Sequence, residues 1–493
     1  MIPLITPLDM REMERRFFDE TGTASIALME VASRALCDVI IERYGADRTV
    51  CFACGPGGNG GDGYACARMF AEAGGRAFVI SAREPSSPDA AENLRRAREA
   101  GVGEGFDGTP DIWVDALYGT GLSRAPSGPS AALIERVNGD RERGSAVVAV
   151  DIPSGLNGLT GTAYAPCVRA DVTVTFQYAK PGCFLADGLD MAGEVLVKDI
   201  GIPAGYYPKG SPALMEDGDV RRVIRPRRRN FHKGNGGHLL IVAGSFGMAG
   251  AAAICAMSAL RSGAGLVTTA CPKSIVPILQ TLAPCAMCVP LPERDGAISD
   301  DAAEVLRGIL PGKTAVACGC GLSQRASGEV VALLMDCGLP GVFDADALNI
   351  ISRGDALKER FQPHHVITPH PGEAARLLGR RIEDPVGDAL ALRALGCQAL
   401  LKGSATVVTV GERAVISTSG TSGMAKGGSG DCLTGLVGGL LAQRLCDDPA
   451  MLAAVGSEVH GAAREIARES KGIYGMCAMD IVEALPEALA RYA

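Results

Sequence analysis

Short, unbroken apolar runs separated by helix-length stretches constrain this chain's fold more than any other feature. In the first half they are "TVCFAC" (49–54), "RAFVIS" (76–81), "DIWVDAL" (111–117), "SAVVAVDI" (145–152), "DVTVTF" (171–176) and "GEVLVKDI" (193–200). A strand that is apolar on both faces needs cover on both, and parallel neighbours need a crossover, normally a helix. The pattern therefore predicts an α/β fold with a largely parallel sheet, preceded by two helices at 8–20 and 24–43. A second series runs from "GHLLIVAGSFG" (237–247) through "TAVACGCGLS", "GVFDADALN", "HHVITPHPGE", "ALLKGSATVV" and "AVIST" to a helical tail from Asp431. Between them, residues 201–235 are rich in Pro, Gly and charge, including "RRVIRPRRR" (221–229), and read as a solvated inter-domain segment. The expected domains are 1–225 and 226–493.

Composition narrows the function classes. A net charge of −8 gives no general reason to bind nucleic acid. No apolar run reaches the roughly 18 residues of a membrane span, and the N-terminus meets its charges before any long apolar core. A cytoplasmic protein without membrane contact is expected. The 17 cysteines include two CxxC pairs, Cys51/Cys54 and Cys285/Cys288, far apart in sequence, which suits reduced core thiols better than a zinc site.

Four polar loops follow the strand ends of the first half, where open α/β sheets bind ligands: "GPGGNGGDG" (55–63), "DALYGTGLSR" (115–124), "DIPSGLNGLTG" (151–161) and "YAKPGCF" (178–184). The glycines of the first can turn N–H groups toward a phosphate at a helix start, and Asp62 fits the N-cap. Asn59, Asp115 and Ser154 supply hard oxygens that together suit a small cation. Asp151, ending the most apolar strand, is an acid–base candidate or a turn-former.

These loops resemble those of the NAD(P)H-hydrate epimerase domain. The resemblance implies a Rossmann-like three-layer fold, with the damaged nucleotide held by Gly58, Asn59, Gly60, Gly61, Asp62, Gly119, Thr120, Gly121, Leu122, Ser123, Arg124, Ala125 and Asp151. It implies K⁺ on Asn59, Asp115 and Ser154, and Lys180 as catalytic partner of Asp151. The family's "GNNGGDG" has Asn where this chain has Gly58.

In the second half, "MAKGGSGDCLTGLVGGLLAQ" (424–443) places Gly428, Ser429 and Gly430 at the start of an apolar helix, an anion hole with Asp431 beside it. Lys402, Gly403 and Ser404 can meet a nucleotide phosphate, and Asp344 and Glu373 can organise Mg²⁺ through water. This half resembles the ribokinase-like fold and, more closely, the ADP- or ATP-dependent NAD(P)H-hydrate dehydratase domain. The resemblance implies substrate contacts at Ala251, Gly321, His370 and Asp431, and nucleotide contacts at Lys402, Gly403, Ser404, Ala405, Thr406 and Gly430. Together the two resemblances imply a bifunctional repair enzyme for hydrated NADH and NADPH, using ADP, with Asp431 as the base. A homo-oligomer is expected, with the apolar N-terminal helices either packed on the sheet or forming a dimer contact. Two rivals are a kinase of the same fold acting on a vitamin precursor, and a first half that only binds nucleotides or partners.

Overall fold

The computed structural model describes residues 1–419 and 426–493, so Met424 and Ala425 of the 424–443 stretch lie outside the described residues. The chain divides into two units: Pro3–Pro212, and Met1–Ile2 with Ala213–Ala493.

In Pro3–Pro212, seven parallel strands run in the order Gly103–Glu104, Arg76–Ser81, Thr49–Cys54, Ile112–Ala116, Ala146–Val150, Val172–Phe176, Glu194–Lys198. Thr49–Cys54, Ile112–Ala116 and Val172–Phe176 are buried along their whole length, as strands covered on both faces must be. Between Thr49–Cys54 and Ile112–Ala116 the winding direction reverses, and the loops leaving those two strands open a crevice.

Helix α1 (Pro7–Thr21) starts at a Thr6 cap, whose hydroxyl accepts the Asp9 N–H at 3.1 Å, and stops at Gly22 with φ 70°. It buries Met10, Met13 and Phe17 beside Leu28, Leu36 and Ile40 of α2 (Ser25–Tyr44), over Phe52 and Val114 of the sheet. The N-terminal helices thus pack on the sheet.

Helix α3 (Gly58–Glu72) has Gly57 as its N-cap residue, so Asp62 lies inside the helix and the expected capping role is corrected. The reason is steric. A Cβ on Gly60 would sit 1.8 Å from the Gly55 carbonyl oxygen, and one on Gly63 would sit 2.6 Å from the Ala116 Cβ. The glycine cluster lets the helix begin early, pressed against the strand ends, despite glycine's poor helix propensity.

The second unit holds an eleven-stranded sheet, ordered Ile2–Pro3, Ala213–Leu214, Arg413–Ser417, Thr406–Val410, Gln398–Leu401, His365–Ile367, Gly341–Phe343, Ala315–Cys318, His238–Val242, Leu266–Pro272, Met287–Leu291. From Gln398–Leu401 to Met287–Leu291 it is parallel, and the hairpin Thr406–Val410/Arg413–Ser417 extends it antiparallel. Part of the segment read as solvated belongs to this unit. Leu214 pairs with Ile416, and the Asp217–Val223 helix buries Val220 and Val223, joined by Ile224, in the second core. Those three share one helical face at i, i+3 and i+4, a stripe masked in sequence by the interleaved arginines. Arg225, Arg228 and Arg229 stay exposed.

Candidate active sites in the two units

A cavity of about 680 Å³ opens at the strand ends of the first unit. Gly58, Asn59 and Asp62 of α3 line it, with Gly119, Thr120 and Gly121, Asp151, Lys180, and Arg11 and Glu14 of α1. Its volume falls in the usual range of roughly 300–1,000 Å³ for small-ligand sites. Leu122, Ser123, Arg124 and Ala125 are not among the lining residues, so of the predicted loop 119–125 only the first half faces the cavity.

At the cavity floor, Asp151 and Lys180 form a buried ion pair. Thr175 donates to Asp151 Oδ1 at 3.0 Å and accepts from Lys180 Nζ at 3.1 Å, closing a three-residue network. Asp151 has φ 67°, a left-handed conformation that costs a non-glycine residue energy and that collects at functional sites. Its N–H is tied to the Val174 carbonyl at 2.7 Å, which holds that conformation. Asp62 is pushed well above the ordinary carboxylate range by burial, and by the charges of Asp151 and Glu14.

The three oxygen-bearing residues expected to hold a cation gather around one turn. Asp115 Oδ2 accepts the Ser154 N–H at 2.7 Å, and the Ser154 hydroxyl accepts the Tyr118 N–H at 2.8 Å. Asn59 reaches the same turn, its Oδ1 lying 3.0 Å from where a Gly119 Cβ would be. Burial lifts the Asp115 carboxyl to about 6, and no described cation pairs with it. The buried Asn59 amide nitrogen has no partner. The unpartnered Asn59 nitrogen is a donor and cannot ligate a cation; the hard oxygens of the site are Asn59 Oδ1, the Asp115 carboxylate, which has no counter-ion among the described residues, and the Ser154 hydroxyl.

Arg11 and Glu14 escaped the sequence reading. Arg11 donates to the Thr120 carbonyl at 2.6 Å, tying α1 to the second glycine loop. The usable signal was helical spacing: Arg11, Glu14 and Phe18 form a stripe at i, i+3 and i+7 beside the buried Met10–Met13–Phe17 stripe, and all three line the cavity.

In the second unit Asp431 stands in the first turn of the Ser429–Gln443 helix, whose leading N–H groups have no partner within the helix. Burial raises its carboxyl to about 6 against a lowering hydrogen bond from Cys320. Asp344 is buried, accepting Lys402 Nζ at 2.7 Å and the Thr434 hydroxyl at 2.7 Å. A Cβ on Gly430 would lie 3.4 Å from Lys402 Nζ, so the helix start, Lys402 and Asp344 are one cluster. Burial works against the Lys402 charge, but Asp344 and Glu373 outweigh it and hold its pKa above the usual lysine value. Glu373 accepts the His370 N–H at 2.9 Å. Ala251 and Gly321 meet directly: a Gly321 Cβ would lie 2.9 Å from the Ala251 Cβ. Thr434 is a further residue the sequence reading missed; an apolar helix hides a single hydroxyl.

The comparisons agree with this division. Residues 25–182 match the family described as YjeF-related protein N-terminus, and residues 239–487 match NAD(P)H-hydrate dehydratase. The bifunctional NAD(P)H-hydrate repair enzyme of Moorella thermoacetica is 36% identical over 99% of this chain and 96% of its own length. That of Escherichia coli is 35% identical over 97% and 92%. A ribokinase-like superfamily protein of Enterococcus faecalis covers 58% of this chain and 98% of its own, with TM-score 0.50 and 24% identity, which shows the shared fold. With two sites of distinct chemistry and end-to-end kinship to proteins of that name, the chain belongs to the family of bifunctional NAD(P)H-hydrate repair enzymes.

Proposed function

We propose that the Pro3–Pro212 unit equilibrates the R and S hydrates of NADH and NADPH, and that the Ala213–Ala493 unit dehydrates the S form at the expense of ADP. In the first unit the substrate's hydrated ring enters the cavity above Asp151 and Lys180, with its phosphates at Gly58–Asn59 and the 119–121 loop. Asp151 and Lys180 move protons at the ring hydroxyl. Potassium on Asn59, Asp115 and Ser154 would add positive charge beside the bound dinucleotide.

In the second unit Asp431 accepts the proton of the ring hydroxyl as its oxygen attacks the terminal phosphate of ADP and AMP departs. The carbon–oxygen bond then breaks, phosphate leaves, and a ring proton is lost to restore NAD(P)H. Phosphate is a far better leaving group than hydroxide, which is what the coupling to ADP supplies. The N–H groups at Gly428–Gly430 cradle the transferred group, and Lys402, with Gly403, Ser404, Ala405 and Thr406, faces the nucleotide. Mg²⁺ carried with the phosphates would meet Asp344 and Glu373 through water, since Lys402 and Thr434 already occupy Asp344.

The observation that carries the reading is Asp431, a carboxyl of raised pKa at a helix N-terminus beside Lys402. Purified protein with both hydrate epimers, K⁺, Mg²⁺ and ADP should return the absorbance of NADH from both. Return from the S form alone removes the first unit's assignment. A stable phosphorylated product replaces the second unit's assignment with a kinase. A cytoplasmic homo-oligomer belongs to the same proposal, supported by the exposed Leu8 and Val31 on α1 and α2 and tested by sedimentation.

A further inference from the structure

Nearly every charge on α1 is spent. Arg15 pairs with Glu12 and Asp19, Arg16 with Glu20, Asp9 takes the Thr6 hydroxyl, and Arg11 holds Thr120. Glu14 is the exception: among the described residues no hydrogen bond or ion pair ends on its carboxyl, which is partly buried and lines the first cavity. A partly buried carboxyl without a partner is costly to keep, and stability alone gives no reason for one in a helix otherwise so fully paired. The charged groups that feel it are Lys180, Asp151, Arg11 and Asp62. Asp89, on the same cavity wall, accepts the Ser25 hydroxyl at 2.5 Å.

We infer that Glu14 is a second acid–base residue of the first site, working with Asp151 across the bound ring; this rests on the epimerase reading above. Epimerisation by water loss needs two proton transfers. The carbon–oxygen bond of the ring hydroxyl breaks as the ring nitrogen's lone pair forms a carbon–nitrogen double bond, and Glu14 gives its proton to the departing oxygen, making water. Water then adds to the same carbon from the other face, the double bond's electrons return to nitrogen, and Asp151 takes the proton released. One proton is given and one taken, so the step balances, and the reverse reaction exchanges the roles. Asp151 and Lys180 are locked to one another at the strand ends, whereas Glu14 enters from α1.

Burial lifts the Glu14 carboxyl to about 7, which is where a group that must both give and take a proton near neutrality works best. The active enzyme carries one proton on the Glu14–Asp151 pair, so kcat/KM in both directions should share one alkaline limb near pH 7.

The test is Glu14→Gln in the full chain, with the rate of hydrate equilibration above the protein-free rate followed against pH. Expected are a fall in kcat of about 100-fold, little change in KM, loss of the limb near pH 7, and partial recovery of both in Glu14→Asp. Dehydratase turnover in the same chain should be unchanged, and the melting midpoint at pH 8 should not fall, because an unpaired charge has been removed. Wild-type equilibration with an unaltered rate and profile in Glu14→Gln overturns the inference alone. A lowered melting midpoint with the limb retained assigns Glu14 a structural role and overturns it too. Wild type that fails to equilibrate the hydrates overturns the epimerase reading itself.

Discussion

The two sites spend their lysines differently. In the first unit Lys180 is buried against Asp151, the carboxylate proposed for proton transfer, and Thr175 locks both. In the second unit Lys402 pairs with Asp344, and among the described residues no ion pair ends on Asp431, the carboxylate proposed as base, which feels Lys402 only through space. The difference follows from what each site must accommodate. No phosphoryl group is transferred beside Asp151, and the cationic ring formed as the hydroxyl leaves meets a carboxylate there, so Asp151 and Lys180 can be held in contact. Phosphoryl transfer brings a polyanion beside the base, and a lysine committed to a buried aspartate remains a fixed positive charge facing that anion. Asp431, raised to about 6, is then ionised at neutral pH yet basic enough to take a proton.

The largest expected effect breaks this comparison at its second half. Asp431→Asn should lower dehydratase kcat by about 10³-fold, read as NADH absorbance from the S hydrate, and leave epimerisation intact. In the unaltered chain, dehydratase kcat/KM should fall as pH drops below about 6, because the base is then protonated. A profile flat to pH 5 would remove Asp431 as the titrating base.

Next is Lys180→Met. Removing one partner of a buried pair leaves an uncompensated charge, so the first unit should lose about 3–5 kcal/mol, with epimerisation lost. Adding Asp151→Asn to that variant should restore part of the stability and none of the activity. Denaturant unfolding of the two variants side by side decides it. The corresponding Lys402→Met should destabilise by a similar mechanism but raise the KM for ADP, a signature the first site lacks.

A smaller effect concerns the cation. Asp115 lies at about 6 when folded, above its unfolded value near 3.9. Between those values the folded state binds more protons than the unfolded, so this group's contribution to stability falls as pH rises through that window. The proposed K⁺ would compete with the proton, so its stabilising effect should be larger at pH 7 than at pH 5, reaching about 2.7 kcal/mol at 100 times its dissociation constant. Melting curves with K⁺ against Li⁺ at the two pH values test this. Asp115→Asn should abolish the difference.

Much of this was legible in residues. The apolar strands, their parallel order and the glycine loops at their ends follow from patterning that a covered sheet requires. Asp151 and Asp431 stand at a strand end and a helix start that the patterning marks, whereas Lys180 entered only through the family resemblance. What escaped was set by three-dimensional packing. Asp62 read as a cap because helix propensity argues against starting in "GGNGGDG", while close packing of α3 on the strand ends imposes that start. Within the 201–235 segment read as solvated, the residues that join the second core, Met215, Val220, Val223 and Ile224, lie scattered among charges. Glu14 escaped the sequence reading altogether, and only the pairing of its charged neighbours on α1 isolates it.

The smallest predicted effect addresses the loop that departs from its family. Gly60 and Gly63 are fixed by backbone and side chains within 3 Å of any added Cβ, whereas a Cβ on Gly58 meets nothing within 4 Å and its φ is not left-handed. Gly58 is therefore not required by the fold. An asparagine there would sit in the first turn of α3 with its side chain at the cavity wall, so Gly58→Asn should change stability by no more than about 0.5 kcal/mol. If the loop holds the dinucleotide's phosphates chiefly through backbone N–H groups, the KM of epimerisation should change by less than about threefold, equivalent to roughly 0.65 kcal/mol. A tenfold fall in KM would instead mean that the asparagine side chain makes a contact this chain has given up. The same substitution should leave dehydratase turnover unaltered, because Gly58 lines only the first unit's cavity.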